Sequence, residues 1–204
     1  MLRDLIFIVS GYLAGSMLFA YIFGYLFKRK DIAGESKDQN PGTANAFLYG
    51  GFWCGVLTLC GDLAKGFFPV FLYINGVPLP ECSFAVAFVL AAPVVGHVLP
   101  IFHRFQGGKG IAVSFGCLLG LVPDIWPLAV LASVFLFFSL ILRISPNYHK
   151  TLWTYVVAAL LMPLFVRELP ILVGFGGIAV LIVGKLLTSS EKKEKCRVRF
   201  VWKL

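Results

Sequence analysis

The sequence predicts an all-α fold, a polytopic membrane helix bundle of about seven transmembrane helices, on three observations. Apolar residues make up 59% of the 204 residues and charged ones only 14%, with a mean hydropathy of +0.87. A soluble domain of this length has no use for so much apolar surface. The apolar residues run in stretches that approach the ~20 residues needed to cross ~30 Å of hydrocarbon. Finally, the 18 Lys and Arg, against 10 Asp and Glu, fall mostly in the gaps between those stretches. That is a topological pattern and not the footprint of a nucleic-acid surface.

Taken in order, the apolar segments are expected at about 5–27, 46–74, 84–102, 111–122, 126–142, 151–166 and 171–187. The fourth is short, since ~12 residues rising 1.5 Å each cover only ~18 Å, so it is expected to begin inside the preceding loop or to be partly re-entrant. The first segment is followed at once by Lys28, Arg29 and Lys30. Charge on that side argues for a retained helix with its N-terminus outside, not for a cleaved secretory signal. With seven crossings, the gaps 28–45, 103–110 and 143–150 and the tail share one side and hold fourteen of the eighteen Lys and Arg. The opposite side holds Arg3 and Arg167 beside Asp4, Glu81, Asp124 and Glu168. The basic side is then cytoplasmic, and with it the C-terminus.

One membrane domain, 1–187, is expected, followed by a basic cytoplasmic tail, 188–204. The tail mixes Lys192, Lys193, Lys195, Arg197 and Arg199 with Val198, Phe200 and Trp202, which suits anionic headgroups. The cysteines at 54, 60, 82, 117 and 196 form no CxxC pair and no His-Cys ligand spacing; they read as reduced packing residues, and no metal is expected. Gly11 and Gly15, and the glycines at 50, 51 and 55, read as small residues that let helices approach closely.

Three loops could carry chemistry. In Gln106-Gly107-Gly108-Lys109-Gly110 a glycine turn and a lysine precede an apolar segment, so amides, a helix N-terminus and a cation converge where a phosphate would fit. The same residues would also make a plain turn. The spacing is not that of a nucleotide-binding P-loop, so ATP is not implied. In Asn40-Pro41-Gly42-Thr43-Ala44-Asn45, Pro41 and Gly42 force a turn and Asn45 is a candidate helix cap, which leaves Asn40 and Thr43 free to face a substrate. In Asp62-x-x-Lys65-Gly66-x-x-Pro69, two charges sit inside an apolar segment, where each alone costs roughly 2.5–3.5 kcal/mol. Three positions apart, they share a helix face and can neutralise each other, while Gly66 and Pro69 suggest a kink. His97, ten residues before the glycine loop, is either a hydrogen-bonded structural residue or a catalyst; His103 and His149 have weaker claims.

In this order within a multispanning chain, NPGTAN, DLAKGFFPV and GHVLPIFHRFQGGKG resemble the acyl-phosphate:glycerol-3-phosphate acyltransferase family. The opening Gly11-Tyr12-Leu13-x-Gly15-Ser16 fits as well, and the likeness covers roughly residues 8 to 145. The resemblance implies a seven-helix bundle in a bacterial plasma membrane with a cytoplasm-facing site. There a hydroxyl of glycerol-3-phosphate attacks an acyl phosphate, giving lysophosphatidic acid and inorganic phosphate for phospholipid synthesis. It implies no cofactor: no metal, CoA or acyl carrier protein. Both substrates and the membrane lipids would be the partners, and no nucleic acid. Carried over by position, Lys109, Asn40 and His97 would serve the chemistry. Asn45, Gly42, Lys65, Gly107, Gly108 and Gly110 would bind or brace the substrates, with Lys109 and the glycines beside it on phosphate.

The chain departs from the pattern at three places. Asp38 stands where the family has serine, adding repulsion toward an anionic substrate. Leu48 stands where it has a phosphate-binding arginine, and the late His-Arg-Glu-Asn motif has no counterpart in 188–204. Two classes of function follow: an active membrane acyltransferase for glycerol-3-phosphate or a related acceptor, and a catalytically impaired paralogue that binds lipid or phosphate or scaffolds other enzymes.

Overall fold

Helices occupy all seven expected positions in the structure, a computed structural model that describes residues 1–28, 31–36, 38–76, 83–189 and 194–200, the side chain of Lys28 excepted. Arg29, Lys30, Glu81, Cys82, Lys192, Lys193 and Trp202, on which parts of the charge and tail readings fall, lie outside the described residues.

The chain runs through α1 (Leu2–Gly15), α2 (Phe19–Lys28) and two short pieces, α3 (Ile32–Glu35) and α4 (Thr43–Asn45). It continues through α5 (Phe52–Gly76), α6 (Ala85–Val98), α7 (Ile111–Leu119) and α8 (Trp126–Leu136), then α9 (Asn147–Phe165) and α10 (Leu169–Thr188). Among the described residues, four stretches are long and apolar enough to cross a membrane: Leu2–Phe27, Phe52–Gly76, Ala85–His103 and Leu169–Thr188. Leu5, Ile6, Phe68, Phe88, Leu160, Leu164 and Val180 face outward from these and neighbouring helices, the surface expected against lipid.

Two expected boundaries are corrected. The first apolar segment is two helices, because the chain turns at Ser16, whose hydroxyl donates to the Tyr12 carbonyl. The second begins at 52, not 46. Residues Ala46–Gly50 form a π-helical turn, and Gly51 at φ +88° and ψ 179° then takes a conformation open only to glycine. The neighbouring glycines do not join separate long helices as expected. A Cβ on Gly50 would lie 2.4 Å from the Cys54 sulfur, and one on Gly55 2.2 Å from the Phe47 ring, so they seat the π turn on the start of α5.

Two reciprocal crossings fix the frame. A Cβ on Gly15 would lie 2.1 Å from the Pro93 carbonyl oxygen and one on Gly96 2.1 Å from that of Tyr12, so α1 and α6 touch backbone to backbone. In the same way a Cβ on Gly66 would lie 2.4 Å from Val113 O and one on Gly116 2.2 Å from Leu63 O, which joins α5 to α7. Gly66 is therefore a contact residue, and α5 runs helically through Pro69. Helix α6, buried at Val86, Val89, Leu90, Pro93, Val94, His97 and Val98, also packs on α10 and is the central helix. Beyond α10, strand β2 (Arg197–Val198) pairs antiparallel with β1 (Ile144–Ser145), tying part of the tail to the loop before α9.

Candidate active site

The expected ion pair between Asp62 and Lys65 is the buried hub of the site. One turn apart on α5, they meet at 2.9 Å with side chains 2% and 3% exposed. An ammonium has three N–H donors and nothing to accept with. Here it donates to the Met17 carbonyl at 2.6 Å and to His97 Nδ1 at 2.9 Å, while its charge faces Asp62 Oδ1 in the ion pair. That geometry assigns the His97 proton to Nε2. The other Asp62 oxygen accepts from the Thr43 hydroxyl at 3.3 Å. The α1–α2 break, the NPGTAN loop and the end of α6 are thus tied to a single charge pair.

His97 passes that connection to the glycine loop. Its carbonyl accepts from the Gly108 amide at 3.1 Å, a Cβ on Gly107 would lie 1.9 Å from the same oxygen, and one on Gly108 would lie 2.3 Å from Nε2. The glycines let the loop lie flat on the histidine. Gly110, at φ +81°, then turns the chain into α7.

Above this base lies a largely buried polar layer, with the Lys109 and Asp38 side chains 12% and 16% exposed. The Lys109 ammonium donates to Asp38 Oδ2 at 2.9 Å and its amide donates to Asn40 Oδ1 at 3.1 Å. Asn45 Nδ2 donates to Asp38 Oδ1 at 2.7 Å and to the Asn40 carbonyl at 2.8 Å. The Asn45 side chain therefore caps no helix: it stands before the π turn without a capping hydrogen bond and is committed to the loop that precedes α4. Gly42 makes room for Asn40, since a Cβ there would lie 2.7 Å from Asn40 Nδ2. Burial works against the Asp38 charge, but the hydrogen bonds from Lys109 and Asn45 and the Lys109 charge outweigh it, holding the carboxyl below its ordinary value. The repulsive acid expected at 38 is thus already matched by the lysine expected to bind phosphate.

A cavity of about 430 Å³ opens beside this layer, lined by Asp38, Asn40, Gly107 and Lys109 together with Tyr21, Asp31, Gln106, Lys185, Thr188 and Ser189. Of the residues expected at the site, Asn40, Gly107 and Lys109 line it. Asn45, Gly42, Gly108 and Gly110 support that lining, and Lys65 and His97 lie beneath. Sequence reasoning missed Lys185, Thr188 and Ser189. They sit at the end of what reads as a plain apolar span, and the lysine breaking that run was the one available signal.

Apolar helices of membrane-crossing length, carrying at one end a polar cavity lined by amides, asparagine and two lysines, define a helical membrane protein with a polar site at the ends of its helices. The chain belongs to the glycerol-3-phosphate acyltransferase family, whose family model matches residues 5–194. The enzyme of that name from Methylobacillus flagellatus is 35% identical over 136 residues, 67% of each chain. That from Nitrosomonas europaea is 36% identical over 159 residues, 78% of this chain and 75% of its own. Two crystal structures of PlsY (YgiH), an integral membrane glycerol 3-phosphate acyltransferase, superpose with TM-scores of 0.73 and 0.74 at 25% and 26% identity. Each covers 89% of this chain and 87% of theirs, one in its lysophosphatidic acid form and one in its glycerol 3-phosphate form.

Proposed function

We propose that the protein is an acyl-phosphate-dependent acyltransferase working at the cytoplasmic face of a bacterial plasma membrane, with glycerol-3-phosphate as acceptor. The observation that carries this reading is the meeting of Lys109, Asn40 and Asn45 from two distant loops at one cavity: Lys109 donates to Asn40 at 3.1 Å, and Lys109 and Asn45 both donate to Asp38, at 2.9 and 2.7 Å. In the reaction a glycerol-3-phosphate hydroxyl oxygen forms an ester bond to the acyl carbon, the bond from that carbon to the phosphate oxygen breaks, and inorganic phosphate leaves. The hydroxyl proton ends on the departing phosphate or on water.

Neither substrate needs activation by a cofactor, because acyl phosphate is already a reactive mixed anhydride. What the chain supplies is proximity and charge. Lys109 lies where it can neutralise a phosphate, and its loop amides supply further donors. Asn40 and Asn45 orient the acceptor. Gly42, Gly108 and Gly110 shape the loops; Lys65 and His97 are positioning residues that act through Gly108 and Thr43. The acyl chain lies in the surrounding lipid, as its chemistry demands.

Seven crossings, with the N-terminus outside and the tail inside, agree with the helices at all seven apolar positions and with the basic loops on one side. The tail residues Lys195, Arg197 and Arg199 suit contact with anionic headgroups. Purified protein given acyl phosphate and glycerol-3-phosphate is expected to release inorganic phosphate. Folded protein that releases none with any polyol phosphate overturns the reading in favour of a non-catalytic role.

A further inference from the structure

The charges around the cavity come from four separate pieces of chain: Asp31 at the start of α3, Asp38 on the loop that follows, Lys109 in the glycine loop and Lys185 in the last turn of α10. Three of them are already engaged. Asp31 caps α3, accepting from the amides of Ala33 and Gly34 at 3.1 and 3.0 Å. Asp38 and Lys109 hold each other at 2.9 Å. Lys185 is half-buried, and among the described residues its ammonium enters no ion pair or hydrogen bond.

A half-buried ammonium has given up part of its hydration, and without a protein acceptor it favours an anion from outside the chain. Neither hydroxyl of the same turn accepts from it; Thr188 and Ser189 donate to the helix carbonyls of Gly184 and Leu186 at 3.0 and 2.8 Å. Position 48 supplies no charge, because Leu48 is a leucine 76% exposed. Lys185 is thus the cavity cation without an ion-pair partner among the described residues: Lys109 holds Asp38, and the other carboxylate of the lining, Asp31, is held on the α3 amides.

We infer that Lys185 is a substrate-binding residue of this chain: its ammonium holds the phosphate of the acceptor. The identity of that acceptor as glycerol-3-phosphate rests on the acyltransferase reading above. A lysine in a last helical turn also favours the helix dipole, but that role acts on stability and not on ligand affinity.

The test uses full-length protein in detergent and compares wild type with Lys185→Met, Lys185→Arg and Lys109→Met. Glycerol-3-phosphate affinity is read by calorimetry and folding by thermal melting. Lys185→Met is expected to bind roughly tenfold more weakly or worse, with Lys185→Arg within roughly threefold of wild type. In turnover, KM for glycerol-3-phosphate rises more than kcat falls. Should Lys185→Met fail to fold, amine-directed acetylation of wild-type Lys185, followed by mass spectrometry, replaces it: glycerol-3-phosphate slows the modification. Wild-type affinity in Lys185→Met, or unslowed acetylation, overturns the inference while leaving the acyltransferase reading intact. Protection by phosphatidylglycerol vesicles and not by glycerol-3-phosphate assigns the lysine to a lipid headgroup and also overturns it. Protection by inorganic phosphate without any glycerol-3-phosphate binding keeps Lys185 as a phosphate ligand and removes the acyltransferase reading instead.

Discussion

The Lys109 ammonium donates to Asp38 Oδ2 at 2.9 Å, so the cation best placed for a substrate phosphate already holds a carboxylate of its own chain. An incoming phosphate has to share or displace that carboxylate. Asp38→Asn keeps the shape and the Asn45 contact but removes the charge, and it is expected to tighten glycerol-3-phosphate binding by roughly threefold to tenfold. Weaker binding in Asp38→Asn would show that the acid instead helps to hold the acceptor.

The same pair makes stability depend on pH. Because the Asp38 carboxyl is held below its ordinary value of 3.8, its contribution is fully present above that value and is lost as pH falls through the lower folded value. Thermal melts at neutral pH and at about pH 3 are expected to show a smaller acid-induced drop for Asp38→Asn than for wild type. Equal drops contradict the pairing.

Lys65→Met leaves the Asp62 carboxylate buried without its cation, a loss of about 3–5 kcal/mol. The double variant Asp62→Leu with Lys65→Met is expected to recover most of the melting temperature but not the activity, because Met17, Thr43 and His97 lose their common anchor. Recovered activity in the double variant would reduce the pair to a packing feature.

Gly108→Ala places a methyl group 2.3 Å from His97 Nε2, which the loop can avoid only by lifting off the histidine. Turnover is expected to fall by about two orders of magnitude, the scale of a misplacement near 1 Å. His97→Ala added to Gly108→Ala is expected to restore part of that loss by removing the clash. No difference between the single and double variants contradicts the contact.

Cys196 is free and exposed in the tail. In a variant keeping it as the sole cysteine, a membrane-impermeant maleimide is expected to label inverted vesicles and not intact cells. Labelling of intact cells reverses the proposed orientation.

The sequence foretold the features that depend on spacing alone. Asp62 and Lys65 stand three apart in an apolar run, and that is enough to pair them; Gly15, with its neighbours in α1, signals a close helix contact, though not that Gly96 answers it from α6. What it hid depends on the third dimension. Gly51 breaks the second segment through its own φ, which composition does not reveal, and Asn45 turned away from its helix because Asp38 lay within reach. Asp38 reads as repulsive in the sequence because Lys109, its partner at 2.9 Å, lies 71 positions away along the chain. Lys185 passed as the end of a span because nothing in α10 announces the cavity at its tip.

The central claim is that the Lys109 loop serves acyl transfer to glycerol-3-phosphate. Its most direct measurement is the formation of lysophosphatidic acid from labelled glycerol-3-phosphate by purified protein with acyl phosphate as sole donor, beside the Lys109→Ala variant. The account predicts labelled product from wild type and none above background from Lys109→Ala, with both proteins folded. Product formation at the wild-type rate by Lys109→Ala, or no product from folded wild type, contradicts it.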